Sequence, residues 1–168
     1  MTELLQIRTK NHFRALPFLA VNIIISLAAI WFTSFDRLSI IIFTAYLAII
    51  IVPVLLIHFE YYLNDRDKTI ELTGDEIRIS HKTTGFYRVL KAQEIQRIIV
   101  YQSANMNKIP VLPTEFYFYV KIFTQAENDS IIITSLMLSN YAEEFNALRN
   151  ISREFKGTFL ASPTFTIT

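Results

Sequence analysis

Two long apolar runs dominate the hydrophobic pattern of residues 1–60. Ala15–Phe35 contains no Asp, Glu, Lys or Arg, the pair Asp36-Arg37 interrupts, and Leu38–Phe59 again lacks charged residues. At a rise of ~1.5 Å per residue each run forms a helix about 31–33 Å long, which matches a hydrocarbon core of ~30 Å. Neither run has the polar face that a helix on the surface of a soluble domain needs. The pattern therefore predicts a transmembrane hairpin with spans at residues 15–35 and 38–59.

Basic residues around the hairpin predict its orientation. Arg8, Lys10 and Arg14 precede the first run, whereas the connecting turn carries only Arg37. Because Lys and Arg are retained on the cytoplasmic side of a membrane, we expect both termini to be cytoplasmic. Residues 1–14 then form a short cytoplasmic segment, a brief amphipathic lead-in at the surface. The first run is too long for a cleavable signal peptide, and a second span comes at once after it.

Aromatic residues stand at the ends of both runs, where interfacial belts are found. His58 also lies near the inner end, and we expect it to be a surface group there. The outer end carries Trp31, Phe32 and Phe35, and the inner end carries Phe59, Tyr61 and Tyr62.

After Glu60 the pattern changes to an alternation of apolar and polar residues. Ile70 and Leu72 alternate with polar residues before Gly74-Asp75, and Ile77 and Ile79 do so after it, which is the signature of a β-hairpin. Enrichment in β-branched and aromatic residues favours strands over helices as far as residue 138. The predicted strands are 68–72, 76–80, 86–90, 95–101, 115–124 and 131–138.

The last predicted element is an amphipathic helix. Asn140 and Glu143 have the spacing of a capping box, and Gly157 stands where a helix of this length would end. The apolar stripe consists of Tyr141, Phe145, Leu148, Ile151 and Phe155. The predicted fold class is α+β: a transmembrane α-hairpin, then an antiparallel bent sheet or partly open barrel with one C-terminal capping helix.

Three segments carry a resemblance to a known family. They are Glu60-Tyr61-Tyr62 at the end of the hairpin, Phe86–Ile95 (FYRVLKAQEI), and Ile131–Leu136 (IIITSL) before the predicted helix. The arrangement resembles the bacterial PH-like domain carried behind a two-helix membrane hairpin, as in small membrane proteins of Bacteroidetes-type bacteria. The resemblance implies a membrane-anchored PH-like domain over residues 60–168. With the orientation expected above, this domain lies at the cytoplasmic face of a bacterial inner membrane. It implies no particular chemistry.

Composition argues against several classes of function. Cysteine is absent, which excludes disulfides, thiolate metal sites and cysteine nucleophiles. The three glycines are isolated, so no phosphate-binding loop is formed, and a net charge of +1 argues against nucleic-acid binding. His12, His58 and His81 fall in separate parts of the sequence without ligand spacing. We expect no enzyme activity, cofactor, metal or small-molecule substrate.

Two segments are candidates for a protein contact. Phe116, Tyr117, Phe118 and Tyr119 are consecutive, so an extended strand directs two aromatic side chains to each face. We expect one pair in the core and the other exposed as a contact surface. Met106 and Ile109 lie in the irregular stretch Asn105–Pro113 and can extend that surface, or the loop can pack back onto the sheet.

A basic group is the candidate for lipid contact. Arg78, Lys82, Arg88 and Lys91 are close in sequence and can face an anionic leaflet, although a solvated outer face is the simpler explanation. Phosphoinositide-binding PH domains place basic residues at the first hairpin turn. Residues 73–76 here are Thr-Gly-Asp-Glu, which is acidic and does not favour a head group.

These observations predict a non-enzymatic, membrane-anchored PH-like interaction or scaffold module. Its expected partners are the lipid bilayer and either a protein partner or a second copy of itself. Two alternatives stay open: a small accessory or oligomeric subunit of a membrane complex, and a weak sensor of anionic lipid.

Overall fold

The computed structural model contains a long helical hairpin and two four-stranded sheets. It describes residues 3–73, 76–103, 112–126, 129–138, 152–158 and 160–164. The chain is α+β, as predicted. Its elements are β1 (Glu3–Leu5), α1 (Thr9–His12), α2 (Leu16–Phe32), α3 (Arg37–Asp65), β2 (Lys68–Thr73), β3 (Glu76–His81), β4 (Tyr87–Lys91), β5 (Ile95–Ser103), β6 (Phe118–Thr124), β7 (Ser130–Thr134) and β8 (Arg153–Thr158), with 3-10 turns at Ala92–Glu94 and Pro113–Phe116.

The hairpin consists of α2 and α3, which confirms the two predicted helices. Its tight turn places Ser34 and Phe35 in the left-handed region, with φ of 54° and 59°. Asp36 then caps α3, because its Oδ2 accepts hydrogen bonds from the backbone N–H groups of Leu38 (3.0 Å) and Ser39 (3.2 Å). Helix α3 continues past the predicted end at Phe59 and stops at Asp65.

The first sheet is antiparallel in the order β1-β2-β3-β4. Ile70 pairs with Ile79 and Leu72 with Ile77, so the alternating apolar residues share one buried face, as predicted. The expectation of a surface lead-in at residues 1–14 is wrong for β1, where Leu5 pairs with Ile70 and is 0% exposed. A three-residue strand is too short to show the alternation that reveals a strand in a sequence.

The second sheet has the order β7-β6-β5-β8 and is mixed, because β8 runs parallel to β5. One face of this sheet packs on the first sheet around Ile98, Val100 and Phe118. The other face packs on the helices. Both faces of β5 and β6 are therefore covered, which explains why these strands read as nearly continuous apolar runs.

Three predicted boundaries differ from the structure. The fifth predicted strand began at residue 115, but Pro113–Phe116 is a 3-10 turn and β6 begins at Phe118. The sixth ends at Thr134, where a turn begins. Residues 139–151 of the predicted C-terminal helix lie outside the described residues, and its predicted end is wrong because Phe155 and Gly157 belong to β8. Pairing with β5 supplies the backbone hydrogen bonds that favour a strand there.

A second core joins the helices to the outer face of the second sheet. Val54, Ile57 and Tyr61 recur every three or four residues on α3, which places them on one face of the helix. They pack with Ile99 and Tyr119 of the sheet. The last third of α3 is therefore part of the β domain's packing.

Candidate functional site

The part of the hairpin beyond the second core has apolar side chains exposed on all sides. Ile24 is 64% exposed, Ile49 is 74% and Phe32 at the hairpin tip is 86%. Exposed apolar surface of this extent on two adjacent helices marks contact with a membrane or an apolar partner. By length and composition alone, the segment Thr9–Phe32, which includes α1 and α2, and the segment Arg37–Asp65 of α3 could cross a membrane.

A polar contact links the two helices within this apolar region. Tyr46 Oη of α3 donates to Asn22 Oδ1 of α2 at 2.7 Å, and Asn22 Nδ2 donates to the backbone carbonyl of Phe18 at 2.9 Å. Ser26 of α2 is fully buried between neighbours. Small and hydrogen-bonded residues at such an interface fix the pairing of helices in an apolar solvent.

Two histidines that are distant in the sequence meet at the base of the hairpin. His12 Nδ1 of α1 lies 3.0 Å from His58 Nε2 of α3, and His58 Nδ1 lies 3.0 Å from Tyr117 Oη. Burial raises the pKa of Tyr117 to about 12, so its hydroxyl stays protonated at neutral pH. The expectation that His12 and His58 are separate is wrong, and His58 is half-buried and not a surface group, whereas His81 lies apart from both. No sequence signal relates His12 to His58, because only the packing of α1 on α3 brings them together.

These two histidines contact each other, and they form no metal site with the other described residues. A zinc or related site needs three or four ligands around one point. Among the described residues no group of three His, Cys, Asp or Glu side chains can hold a metal ion.

The predicted belt at the inner end of the hairpin is only partly exposed. Phe59 is 60% exposed and Tyr62 is 41%, but Tyr61 is 0% exposed and packs in the second core. Tyr61 Oη donates to the backbone carbonyl of Ala161. Its place in the belt was a wrong prediction, because residue 61 lies on the helix face that also carries Val54 and Ile57.

A buried carboxylate fastens the end of α3 to the second sheet. Asp65 is 0% exposed, and its Oδ2 accepts hydrogen bonds from the backbone N–H (3.2 Å) and the Oγ1 (2.5 Å) of Thr134. Lys68 Nζ lies 3.9 Å from Asp65 Oδ1. Burial raises the pKa of Asp65, and the hydrogen bond from Thr134 and the charge of Lys68 oppose that rise. The cluster ties helix orientation to β7.

The consecutive aromatic residues do not form an exposed face. Tyr117, Phe118 and Tyr119 are at most 3% exposed, and Phe116 is half-buried against Phe18 at a centroid distance of 6.2 Å. The expectation that one pair is exposed is wrong, because helix packing covers the second face of the strand. Met106 and Ile109 lie outside the described residues.

The predicted basic group is divided between the two faces of the first sheet. Arg78 is opposite Val89 on the outer face and forms an ion pair with Glu76. Arg88 is opposite the buried Ile79, so it points to the inner side, where its Nη1 donates to Asp129 Oδ1 at 2.9 Å in a two-pronged ion pair. The expectation that Arg78 and Arg88 lie together is wrong. Lys82 and Lys91 are exposed at opposite ends of the β3–β4 hairpin.

Comparisons with known proteins give one result. A family model described as PH domain matches residues 6–143, a range that includes both apolar helices as well as β2 to β7. No curated protein and no solved structure matches the chain significantly. PH domains bind lipids or proteins and are generally not catalysts. Since the match covers most of the sequence, the chain belongs to the PH domain family.

Proposed function

We propose that the chain is a non-enzymatic, membrane-anchored PH-like interaction module. In this proposal residues 15–59 form a membrane hairpin. Residues 60–168 form a domain at the cytoplasmic face of a bacterial inner membrane, with both termini on that side. The partners are the bilayer and a second protein.

One observation carries the proposal: α3 is a continuous helix that belongs both to the apolar hairpin and to the packing of the domain. Its first half has exposed apolar side chains such as Ile41 and Ile49, and its last third packs in the second core through Ile57 and Tyr61. Asp65 fixes the end of the same helix to Thr134. An anchor joined in this way holds the domain in one orientation to the membrane, whereas a flexible linker would not.

The length of uncovered helix sets the depth of the anchor. Contacts with the β domain reach Leu19 on α2 and Val54 on α3. The helix beyond them measures about 20 Å from residue 20 to 32 and about 25 Å from residue 37 to 53. Both lengths are shorter than a hydrocarbon core of ~30 Å. A hairpin that crosses the bilayer therefore draws the Pro113–Phe116 turn to the membrane surface.

The two alternatives have less support. A lipid sensor needs cations clustered on one surface, but Arg78 and Arg88 point to opposite faces of the first sheet. An oligomeric subunit needs polar or small residues on the outside of the hairpin. Ala28, Ala45 and Ala48 are small and exposed there, but the hydrogen-bonding pair Asn22 and Tyr46 is used within one hairpin and Ser26 is buried.

Photo-cross-linking in intact cells tests the interaction function. A benzoylphenylalanine residue replaces either Tyr87 or Phe155 in the domain, or Ile24 in the hairpin; the three side chains are 62%, 56% and 64% exposed. We expect a recurrent protein adduct from one of the domain positions and none from the hairpin position. Protein adducts from Ile24 alone would favour an oligomeric subunit and contradict the proposal.

A further inference from the structure

The inner edge of β4 faces a groove that the described residues leave open. Two cavities of about 320 and 250 Å³ lie on either side of Arg88. The smaller is lined by Lys68, His81 and Phe86, and the larger by Val89, Glu94 and Gln125. We name this groove, with its two cavities, the β4 cleft. The Arg88–Asp129 ion pair crosses it in the middle.

Strand β4 is the edge of the first sheet, and its backbone offers pairing groups to the cleft. The N–H of His81 donates to the carbonyl of Phe86 at 2.9 Å, which fixes the alternation of the β3–β4 ladder. Residues 88 and 90 then bond to β3, and Tyr87 and Val89 direct their N–H and C=O groups away from it. Among the described residues no hydrogen bond to these backbone groups is found. Glu94 covers the next outward N–H, that of Lys91, at 2.9 Å.

The smaller cavity has the character of a site for an acidic side chain. Lys68, His81 and Arg88 line it, and within the described residues no Asp or Glu does. The acidic partners of Lys68 and Arg88, which are Asp65 and Asp129, lie outside the lining. Lys68 Nζ already donates to Asn64 Oδ1 (3.0 Å) and the Ile132 carbonyl (3.3 Å), which holds it in place. Phe86 is 49% exposed and packs edge-on against His81 at a centroid distance of 5.6 Å, giving the cavity an aromatic wall.

The cleft lies beyond the hydrocarbon core along α3. Asn64 lines its smaller cavity and stands about 40 Å from the start of α3 at Arg37. A ~30 Å hydrocarbon core that begins at Arg37 ends near residue 57. A ligand for the cleft therefore comes from the aqueous side.

We infer that the β4 cleft binds an extended acidic peptide of a partner protein, which adds to β4 as a further strand. Backbone hydrogen bonds to Tyr87 and Val89 hold the peptide. Alternate side chains of a strand point the same way, so residues i and i+2 of the peptide enter the two cavities. The acidic residue occupies the cavity of Lys68, His81 and Arg88. This inference rests on the proposed interaction function and names its surface and the class of partner.

The full-length chain in lipid nanodiscs provides the test. A random peptide library displayed on phage is selected against these discs after subtraction on empty discs. The most enriched peptide, labelled with fluorescein, is then titrated by anisotropy. We expect enriched sequences to carry a recurrent Asp or Glu within an extended motif.

Two variant pairs locate the binding. Val89→Pro removes one outward N–H and should weaken the peptide about tenfold, whereas Val89→Thr keeps the N–H and should stay within about twofold. Arg88→Gln should weaken binding about tenfold. Asp129→Asn removes the competing carboxylate of the Arg88–Asp129 pair and should tighten binding. The opposite signs of these last two variants cannot both arise from loss of folding.

Several results would overturn the inference. They are the absence of any enriched peptide, equal binding to the Val89→Pro and Val89→Thr proteins, and equal binding to the Arg88→Gln and Asp129→Asn proteins. A dimer in native mass spectrometry that Val89→Pro abolishes would assign the β4 edge to a second copy of the chain instead. If the peptide experiments fail but Phe155 gives a protein adduct in cells, the proposed interaction function is retained and its binding surface is not the β4 cleft.

Discussion

Replacing one buried isoleucine of α3 tests whether this helix belongs to the domain core. Ile57 is 1% exposed and packs in the second core, whereas Ile49 on the same helix is 74% exposed. Ile57→Ala removes three carbon atoms, a loss of about 2.4 kcal/mol at ~0.8 kcal/mol per buried CH₂. The cavity left behind brings the expected cost to about 2–5 kcal/mol. Ile49→Ala makes the same chemical change without a cavity in the protein and is the matched control.

Thermal unfolding of the full chain in detergent measures the difference. Near-UV circular dichroism reports on the tyrosines of the second core, since Tyr61 and Tyr117 pack edge-on at a centroid distance of 5.5 Å. For a chain of this size a loss of 1 kcal/mol lowers Tm by about 2–4 °C. We expect Ile57→Ala to lower Tm by about 4–20 °C and Ile49→Ala to change it by less than about 2 °C. Equal shifts in the two variants would refute the assignment of α3 to the core.

Three further changes test separate parts of the fold. Leu5→Ala should destabilise the chain by about 2–5 kcal/mol, because β1 is buried, and a change below about 0.5 kcal/mol in denaturant unfolding would return residues 1–14 to the surface. Tyr46→Phe should lower hairpin stability in lipid by about 0.6–2 kcal/mol through loss of the bond to Asn22, measured by the free energy of unfolding. The raised pKa of Asp65 favours the folded state while the carboxyl is protonated, and this contribution is lost as pH rises through the folded-state pKa. Wild type should therefore gain stability relative to Asp65→Asn on acidification from neutral pH, and a difference in Tm that is constant with pH would argue against the effect.

Much of the secondary structure can be predicted from the hydrophobic periodicity of the sequence. The two apolar runs, the β2–β3 hairpin and the cores of β4 and β5 appear where the alternation or continuity of apolar residues predicts them. Each of these segments contains enough consecutive positions for its period to be recognised. Strand β1 is too short for this, because it has three residues and Leu5 is buried while Leu4 is exposed.

Features that depend on tertiary packing could not be predicted from the sequence. The aromatic side chains of Tyr117 to Tyr119 are buried on both faces of the chain because α3 covers the sheet. The local sequence pattern does not predict that a helix covers this face. The His12–His58 contact and the Asp65–Thr134 bonds join residues that are distant in the sequence. Arg78 and Arg88 are separated by strand register, since Arg88 is opposite Ile79 and not Arg78.

Topology of the hairpin in the membrane is the central claim, and the chain is well suited to its measurement. Because the sequence contains no cysteine, a single introduced thiol is the only site for a maleimide reagent. Ser34→Cys places that thiol at the exposed hairpin tip, and Thr84→Cys places it in the exposed turn before β4. Each variant is treated with a membrane-impermeant maleimide in spheroplasts, before and after permeabilisation. The account predicts labelling of Ser34→Cys in intact spheroplasts and of Thr84→Cys only after permeabilisation. Labelling of both positions under the same condition would contradict a hairpin that crosses the membrane.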